Sequence, residues 1–408
     1  MYFSMTNLSN ERNDILLSNE DKTIKTNSID WDGCKRTWEF SSLCAGNGVE
    51  FGEILCGGKR IDQVCPEKYI TELKMVNDKM KCFVKAFSTS KVHFDNENIF
   101  SFLPFSFLNE FFSIRNKITK EVFETYERPK NYDVILELFK LNSFIKRNKL
   151  NFDTRKILSI SSFDDKVRSL WKKVLSGKDK INYNIFGSIT GRFSTKPDSF
   201  PILNLAKEYR EFIIPRNHFF LELDFNAIDL RSLIHLNGKV QPKEDIHDWN
   251  RDIYNEETGS FVTRDEIKKK VLTWLYSTDT NKFPVRSIND VYDKNFLAEK
   301  YWKNGKITNS FDREIECDKQ HAIPLLGQSE SADLFARQAL ALHKVLNNTK
   351  SHLTALIHDS CLIDLHEDDK VLIDDFTKVF GDTKFGKTKV NVKMGTTFGE
   401  MKAINENK

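Results

Sequence analysis

Two aspartates stand near the ends of apolar runs from which they could bind a metal ion together. Asp224 comes just before the end of FFLELDF (219–225), which predicts a buried strand, and Asp359 lies in the polar turn of LTALIHDSCLIDL (353–365), which predicts a hairpin. Antiparallel packing of these strands would bring both acids to one margin of a sheet. Two carboxylates a few ångströms apart repel each other unless a cation lies between them, so the pair indicates a divalent metal site. Paired metals of this kind activate a hydroxyl and stabilise a departing phosphate.

A row of residues spaced four apart lies between the two aspartates. The segment TRDEIKKKVLTWLY (263–276) has a Thr cap and acids in its first turn, which predict a helix. Residues four apart share one helix face, so four side chains can point at a single ligand: Arg264, Lys268, Leu272 and Tyr276. Taken alone, the row is more typical of a solvated basic face.

The segments around these residues resemble those of one polymerase family, in the same order. LDFNAIDLRSL (223–233), the helix at 263–276 and LIHDSCLID (356–364) resemble motifs A, B and C of the A-family DNA polymerases. Four further segments also resemble the family: ITGRFSTKPDSFPILNL (189–205), DIH (245–247), GQSESADLF (327–335) and GTTFGEM (395–401). The resemblance covers about residues 140–401. It rests on the joint order of the segments, which outweighs the reading of 263–276 as a solvated face.

The resemblance implies a two-metal reaction. Asp224 and Asp359 would hold two Mg²⁺ ions, for which Mn²⁺ could substitute, and the backbone carbonyl of Phe225 would complete one coordination sphere. Lys268 would give a proton to the departing pyrophosphate. Phosphoryl transfer depends on positioning and charge neutralisation more than on covalent chemistry.

The resemblance also implies which residues surround the nucleotide and the DNA. The residues around the incoming dNTP would be Phe225, Asp229, His247, Arg264, Lys268, Leu272 and Tyr276. The residues in contact with DNA would be Arg192, Asn204, Arg231, Gln328 and His358. Minor-groove acceptors occur on every Watson–Crick pair, so donors there can check the shape of a pair without reading its sequence.

The chain departs from the family pattern at several positions. Asp229 stands where the family usually has the Glu that blocks the ribose 2′ hydroxyl, and it is one methylene shorter. Ser360 replaces the usual Glu after the His-Asp pair, so we assign metal binding to two aspartates and not to three acids. Leu272 replaces the Phe or Tyr of motif B. The shorter acid at Asp229 leaves the strictness of ribonucleotide exclusion open, and Leu272 leaves discrimination at the 3′ position open.

The predicted fold class is α+β, a right-hand polymerase with a thumb, a palm built on an antiparallel sheet, and fingers. A small β-rich N-terminal region would precede it, because residues 31–66 alternate short apolar runs with Gly. Apolar residues spaced three and four apart within 102–177 predict helices. The expected parts are a flexible tail at 1–30, a β-rich region of unknown role at 31–100, a helical thumb at 101–180, a palm at 181–235 and 321–408, and fingers at 236–320.

Composition sets wider limits. A net charge of +3, from 62 basic and 59 acidic residues, neither demands nor excludes nucleic acid. No stretch approaches the roughly 18 apolar residues of a membrane helix, so we expect no membrane partner. The polar, mixed-charge first 30 residues lack the features of a signal or transit peptide, so we expect a cytoplasmic protein of a bacterial or phage-infected cell. The spacings of four cysteines leave free thiols and a structural zinc both open: Cys34, Cys44, Cys56 and Cys65.

We therefore expect a template-directed DNA polymerase that adds dNMP to a primer 3′ end in replication or repair. Its partners would be primed template DNA and dNTPs, with replication accessory proteins as further candidates. FDNEN (94–98) contains a Phe-Asp-x-Glu signature of 3′–5′ exonucleases, but too little chain follows it, and we expect no proofreading.

Two other functions stay open. A single-subunit RNA polymerase also uses His-Asp-Ser in motif C, although Asp229 and the TGRFS segment at 190–194 speak against it. A catalytically inactive polymerase fold that serves as a scaffold is the other alternative, because the Glu after motif C is missing.

Overall fold

The computed structural model describes residues 1–8, 14–19, 22–92, 97–277 and 282–404. Phe94, Asp95 and Asn96 of the exonuclease-like signature lie outside the described residues. The chain divides into two compact units, Met1–Lys140 and Leu141–Lys408. The boundary falls inside the segment 101–180, so the predicted thumb does not coincide with either unit.

The first unit combines short strands with long helices. Its strands are β1 (Ser4–Asn7), β2 (Ile15–Ser18), β3 (Thr23–Thr26), β4 (Arg36–Thr37) and β5 (Glu50–Phe51). Its helices are α1 (Gly52–Leu55), α2 (Glu67–Thr89), α3 (Phe105–Thr125) and the first part of α4 (Tyr132–Arg147). Strands β1, β2 and β3 form an antiparallel sheet in that order, and β4 pairs with β5 in parallel.

Two predictions for the N-terminal region are wrong. The segment 1–30 is not a flexible tail, because its described residues contain the β1–β3 sheet. Several of its apolar residues, among them Phe3, Leu8 and Leu16, are buried. The described part of 31–100 is not β-rich, since its strands are two residues long and α2 takes 23 residues. The Gly-bounded apolar runs form turns and the short helix α1 there, whereas Leu73 and Val76, spaced three apart, lie on the buried face of α2.

The second unit contains the elements that carry the sequence motifs. Its strands are β6 (Asn151–Phe152), β7 (Tyr183–Asn184), β8 (Ser194–Thr195), β9 (Ile213–Ile214), β10 (Phe219–Phe225), β11 (Trp302–Lys303), β12 (Lys306–Thr308), β13 (Glu314–Glu316), β14 (His352–Ile357), β15 (Ser360–Leu365), β16 (Asp382–Thr383), β17 (Gly386–Lys387), β18 (Val390–Gly395) and β19 (Lys402–Ala403). Its helices after α4 are α5 (Thr154–Ser161), α6 (Asp165–Leu175), α7 (Ile228–Leu236), α8 (Ile246–Thr258), α9 (Arg264–Tyr276), α10 (Arg286–Val291), α11 (Lys294–Tyr301), α12 (Ala322–Leu346) and α13 (Ile373–Gly381).

An antiparallel five-stranded sheet in the order β14-β15-β10-β18-β19 forms the centre of this unit. Side chains alternate along a strand, so Leu221, Leu223 and Phe225 share one face of β10 and Glu222 and Asp224 share the other. The apolar face belongs to a buried core that also includes residues of α12 and α13. The acids are therefore left on the polar face of the sheet.

A second core lies among α7 to α11 and the first part of α12. On α9, the residues Ile267, Val271 and Leu275 are spaced four apart and are all buried in this core. The capping of α9 supports its predicted start, because the Thr263 hydroxyl accepts a hydrogen bond from the Glu266 N–H (3.3 Å). The buried stripe leaves the basic residues of α9 on the remaining faces of the helix.

Several local predictions are confirmed. Strand β10 covers 219–225, and the hairpin of β14 and β15 lies within 352–365. Helices α3 to α6 fill most of 102–177, and Ser176 and Gly177, with a φ of 84° at Gly177, end α6. Cys361 is buried in β15. No helix in the described ranges is both long and apolar enough to span a membrane.

The four N-terminal cysteines are free thiols. Cys34, Cys44 and Cys56 are buried and Cys65 is half-buried. Within the residues that the structure describes, no group of three or more His, Cys, Asp or Glu side chains is arranged to hold a metal ion.

Candidate active site

Asp224 and Asp359 lie on neighbouring strands at one end of the central sheet. Asp224 on β10 pairs with Ser360, the first residue of β15, and Asp359 directly precedes Ser360 in the hairpin turn. The backbone N–H of Phe225 donates a hydrogen bond to the backbone oxygen of Asp359 (3.3 Å). Since paired strands lie about 4.8 Å apart, this register brings together two acids that are distant in the sequence.

The surroundings of both carboxylates disfavour their charge. Burial, with the negative charges of Asp229 and Asp224, raises the pKa of Asp359 to about 7 against the opposing charge of Arg192. Burial also raises the pKa of Asp224, although its carboxylate accepts a hydrogen bond from Asn391 Nδ2 (3.1 Å). Among the described residues, no side chain donates a hydrogen bond to the carboxylate of Asp359. The charge of Asp359 is thus largely uncompensated by the protein.

This donor set fits a divalent cation. Mg²⁺ binds oxygen ligands and is commonly held by one or two carboxylates, with water and substrate phosphates in its other positions. A cation between Asp224 and Asp359 would remove the repulsion between them and satisfy the carboxylate that lacks a partner. Further ligands would come from the backbone, from water or from a substrate.

The turn that presents Asp359 has an unusual backbone. His358 has a φ of 53°, in the left-handed region that few side chains adopt, although His adopts it more readily than most residues. His358 and Asp359 together form the two-residue connection between β14 and β15. The side chain of His358 is exposed beside Asp359, where it can meet a ligand at the sheet end.

Arg231 has a structural role, and the prediction that it contacts DNA is wrong. Its side chain is 1% exposed. Its guanidinium donates to the backbone oxygens of Asn226 (2.8 Å), Pro242 (2.7 Å) and Glu244 (2.7 Å) and to Asn226 Oδ1 (2.9 Å). These bonds brace the turn after β10, in which Ala227 adopts a left-handed φ of 48°. Burial and these four hydrogen bonds keep the guanidinium away from a phosphate outside the protein.

Asp245 connects this turn to α9. Its carboxylate accepts from Asn226 Nδ2 (2.7 Å) and from Nε (3.1 Å) and Nη2 (2.8 Å) of Arg264. It also caps α8 by accepting from the backbone N–H groups of His247 and Asp248. Burial opposes ionisation of Asp245, but the hydrogen bonds from Arg264 and Asn226 hold its pKa below the usual range. Arg264, predicted to contact a triphosphate, therefore has two of its donors on Asp245.

His247 and Lys268 lie near Arg264, as predicted. His247 is 4% exposed, and its Nδ1 has no hydrogen-bond partner among the described residues. Burial lowers the pKa of His247 to about 4, and the positive charge of Lys268 adds to the shift. Lys268 is exposed one helical turn after Arg264. The two cations, Arg264 and Lys268, form with the neutral His247 a basic cluster suited to a polyanionic ligand.

Asp229 is the centre of a polar cluster drawn from four segments. Its carboxylate accepts from Arg192 Nη2 (2.9 and 3.2 Å) and from the Tyr276 hydroxyl (3.2 Å), and Ser331 donates a short hydrogen bond to it. Burial, with the adjacent charge of Asp229, raises the pKa of Tyr276 well above its usual value. Because Asp229 also raises the pKa of Asp359, this cluster borders the aspartate pair.

The other predicted site residues differ in position. The ring of Phe225 stacks on Phe380 in the core at 4.2 Å, which leaves its backbone as the part able to bind a ligand. Leu272 is half-buried against the second core. Gln328 is half-buried on α12, and its backbone oxygen accepts from Ser331 Oγ (3.0 Å). Asn204 is exposed at the end of a short 3₁₀ turn, and in the described structure no hydrogen bond joins it to the other predicted residues.

Comparison of the sequence with protein-family models and with curated proteins gives no match. Among solved structures, the chain is similar to the POL domain of Pol1 from M. smegmatis in complex with DNA primer-template and dNTP. The similarity has a TM-score of 0.63 at 11% sequence identity and covers 98% of this chain and 96% of that chain. The chain thus has the fold of a DNA polymerase domain, a mixed fold of helices and strands.

Sequence reasoning missed the residues that surround the aspartates from β18 and α12. Asn391 contacts Asp224, Lys393 lies 3.0 Å from Glu222, and Ser331 contacts Asp229. The alternation in VNVKMG (390–395) predicts a strand with Asn391 and Lys393 on one face. Nothing in that pattern indicates which acids lie opposite, because the pairing with β10 is set by the fold.

Gly191 in the TGRFS segment makes close contact with Arg313. A Cβ added at Gly191 would lie 2.5 Å from Nη2 of Arg313, whose guanidinium is held by Asp333, and Gly191 has a φ of 84°. Gly191→Ala should therefore lower the free energy of unfolding by about 2–3 kcal/mol, through backbone strain and the clash together. Urea unfolding measures this change.

Gly238→Ala is the matched control for this prediction. Gly238 has a φ of 67°, and among the described residues a Cβ added there would meet nothing within 4 Å beyond its chain neighbours. Gly238→Ala should therefore lower the free energy of unfolding by about 1 kcal/mol, through backbone strain alone. Equal losses in the two variants would show that the contact with Arg313 contributes nothing.

Proposed function

We propose that this protein is a template-directed DNA polymerase of the A-family type, which adds dNMP to a primer 3′ end in DNA replication or repair. The observation that carries the proposal is the meeting of Asp224 and Asp359 at one end of an antiparallel sheet in a chain with a polymerase-domain fold. The similar domain from M. smegmatis was solved with primer-template DNA and dNTP. We propose the same two ligands for this chain.

In this proposal the second unit contains the palm and the fingers. The central sheet with α12 and α13 would be the palm, formed by 181–235 and 321–408. Helices α8 to α11, which have a core of their own, would be the fingers at 236–320. The helices of 101–180 would serve as the thumb.

Asp224 and Asp359 would hold Mg²⁺, with Mn²⁺ as a substitute and the backbone carbonyl of Phe225 as a further ligand. Bound there, the metal would supply activation of a hydroxyl and neutralisation of phosphate charge. Burial raises the pKa of Asp359, so its ionised form lacks compensation within the protein. This supports a bound cation that compensates the charge of the carboxylate.

The basic cluster on α8 and α9 would bind the triphosphate. Lys268 and Arg264 would neutralise its charge, and Lys268 Nζ would give a proton to the departing pyrophosphate. His247 is kept neutral by burial at ordinary pH, so its role would be that of a hydrogen-bonding group and not of a cation. The guanidinium of Arg264 would donate hydrogen bonds both to Asp245 and to a phosphate oxygen.

The residues around Asp229 would position the sugar and the nascent base pair. Tyr276 would stack near the new pair while its hydroxyl contacts Asp229. Arg192, Gln328 and His358 would donate to minor-groove acceptors, which every pair presents, and Asn204 would contact the DNA further from the aspartates.

Extension of a labelled primer on a DNA template, with dNTPs or rNTPs and with or without Mg²⁺, tests this proposal. Template-dependent extension by dNTPs that requires Mg²⁺ is the expected result. Preferential use of rNTPs would favour a single-subunit RNA polymerase. Primed-template binding without product from either nucleotide would favour a catalytically inactive scaffold.

Asp229, which is shorter than the usual Glu, should affect the selection of dNTPs over rNTPs. Asp229→Ala should raise the ratio of rNTP to dNTP incorporation by roughly 10- to 100-fold, because it removes the carboxylate that Arg192 and Tyr276 hold beside the aspartate pair. Ser331→Ala is the matched control, since it removes one hydrogen-bond donor and keeps the carboxylate. Single-nucleotide incorporation measures the ratio. The same ratio in Asp229→Ala and wild type would exclude a role for this residue in sugar selection.

A further inference from the structure

We propose that Asn391 is a positioning residue for Asp224, which it orients so that one carboxylate oxygen stays available to a cation. The inference rests on the proposed function, because the cation is the one that Asp224 and Asp359 would share. It concerns β18, a strand to which the sequence motifs assign no function.

Strand β18 supplies one partner for each acid on the polar face of β10. In the antiparallel register, Asp224 lies opposite Asn391 and Glu222 lies opposite Lys393. Asn391 Nδ2 donates to Asp224 Oδ2 (3.1 Å), and Lys393 Nζ lies 3.0 Å from Glu222 Oε2. Each of the two acids thus meets a different kind of donor on the same strand.

Asn391 and Lys393 have different effects on the charges of the acids that they contact. Lys393 neutralises Glu222, whose side chain is 11% exposed and whose Oε1 also accepts from Ser360 Oγ (3.3 Å). Asn391 is a neutral donor, so it fixes Asp224 without cancelling its charge. The charge of Asp224 thus has no cationic partner on β18 and can be compensated by a divalent cation, whereas Glu222 on the same face is paired with Lys393.

The geometry also leaves one oxygen of Asp224 free. An ionised carboxylate only accepts hydrogen bonds, so the NH₂ group of Asn391 must face it. In the part of the chain that the structure describes, the hydrogen bond to Asp224 Oδ2 is the one that its side chain accepts. Oδ1 is left for a ligand. Partners of this kind, which orient a metal-binding side chain, typically contribute 10- to 100-fold to metal affinity.

Mn²⁺ binding to the free protein tests the inference without relying on activity. Electron paramagnetic resonance measures free Mn²⁺ during a titration, and primer extension at varied Mg²⁺ concentration gives a second readout. Asn391→Leu keeps the approximate shape of the side chain, suits a strand and removes the donor. We expect about tenfold weaker Mn²⁺ binding, a similar rise in the Mg²⁺ concentration for half-maximal extension, and unchanged affinity for primed DNA.

Asn182→Leu is the matched control. Asn182 is a buried asparagine of the same unit whose Nδ2 donates to the carboxylate of Asp198 (3.3 Å), a pair on neither β10 nor β18. This variant should bind Mn²⁺ as wild type does, even if it is less stable. If Asn391→Leu fails to fold, Asn391→Thr and Asn391→Val can be compared instead. Thr has a hydroxyl donor where Val has a methyl group, so the Thr variant should bind Mn²⁺ more tightly than the Val variant.

The possible failures are distinguishable. Unchanged Mn²⁺ affinity and Mg²⁺ requirement in folded Asn391→Leu, or equal affinities of the Thr and Val variants, would overturn the role of Asn391. Wild-type protein that binds Mn²⁺ but extends no primer would overturn the proposed function, and the binding data alone would then decide the role of Asn391. Wild-type protein that binds no Mn²⁺ would overturn both.

Discussion

Replacing Asp359 with asparagine should lower the rate of single-nucleotide incorporation by roughly 10³-fold, with little change in affinity for primed DNA. The substitution keeps the shape of the side chain and removes the charge at the end of the β14–β15 hairpin. Asp224→Asn should have a similar effect, because the two carboxylates come from paired strands and would share the same cations. Rapid-quench kinetics on a primed template, with DNA binding measured separately, gives both quantities.

Asp364→Asn is the matched control on the same strand. Asp364 is buried at the far end of β15, where its two carboxylate oxygens accept from the backbone N–H groups of Arg216 (2.7 Å) and Asn217 (2.9 Å). This variant should lose stability and keep its rate of incorporation. A rate for Asp359→Asn within the range of this control would contradict the assigned role of Asp359.

Loss of folding does not explain the expected effect of Asp359→Asn. Burial raises the pKa of Asp359 to about 7, so the folded state binds its proton more tightly than the unfolded state. Without metal, ionised Asp359 destabilises the fold, and this penalty grows as pH rises from the ordinary aspartate range to about 7. Asparagine carries no such penalty. In EDTA at pH 8, the variant should therefore unfold at the same temperature as wild type or at a higher one.

Arg231→Leu should lower the free energy of unfolding by about 3–5 kcal/mol, since it removes every donor of a buried guanidinium at once. The backbone oxygens of Asn226, Pro242 and Glu244 would lose their hydrogen bonds to a side chain that is 1% exposed. The turn after β10, in which Ala227 has a left-handed φ, would lose the hydrogen bonds that stabilise it. Chemical unfolding measures the change.

Arg192→Leu provides the contrast for this prediction. Arg192 is 39% exposed and pairs with Asp229, so its replacement should cost at most about 1 kcal/mol of stability while it weakens catalysis at the primer end. If Arg231→Leu were as stable as wild type and bound primed DNA more weakly, Arg231 would be a DNA contact after all, as motif A alone suggests.

The elements that carry the site could be predicted because their signals are local. The apolar run 219–225 has the length of a buried strand, and the polar turn at His358 and Asp359 divides 353–365 into two strands. Thr263 and the acids after it set the start of α9. Each of these signals lies within a few residues of the feature that it predicts. The meeting of Asp224 and Asp359 required the family resemblance in addition, because strand order is not a local property.

The partners of the site residues could not be predicted because they depend on tertiary contacts. Arg231 has the same neighbours in sequence whether it points outward or inward, and two of its hydrogen-bond acceptors come from the distant residues Pro242 and Glu244. The role of Asn391 depends on the β10–β18 register, which places it opposite Asp224. In the first unit, sparse apolar residues such as Phe3 and Leu16 are enough for a small sheet once helices cover it, although the average composition there is that of a tail.

The most direct test of the central claim is the position of Mn²⁺ in crystals of the protein with primed DNA and a non-hydrolysable dNTP, measured by anomalous scattering. We predict that carboxylate oxygens of both Asp224 and Asp359 bind the ion at the end of the β10–β15 pair. Mn²⁺ bound elsewhere, with both carboxylates free of metal, would contradict the account.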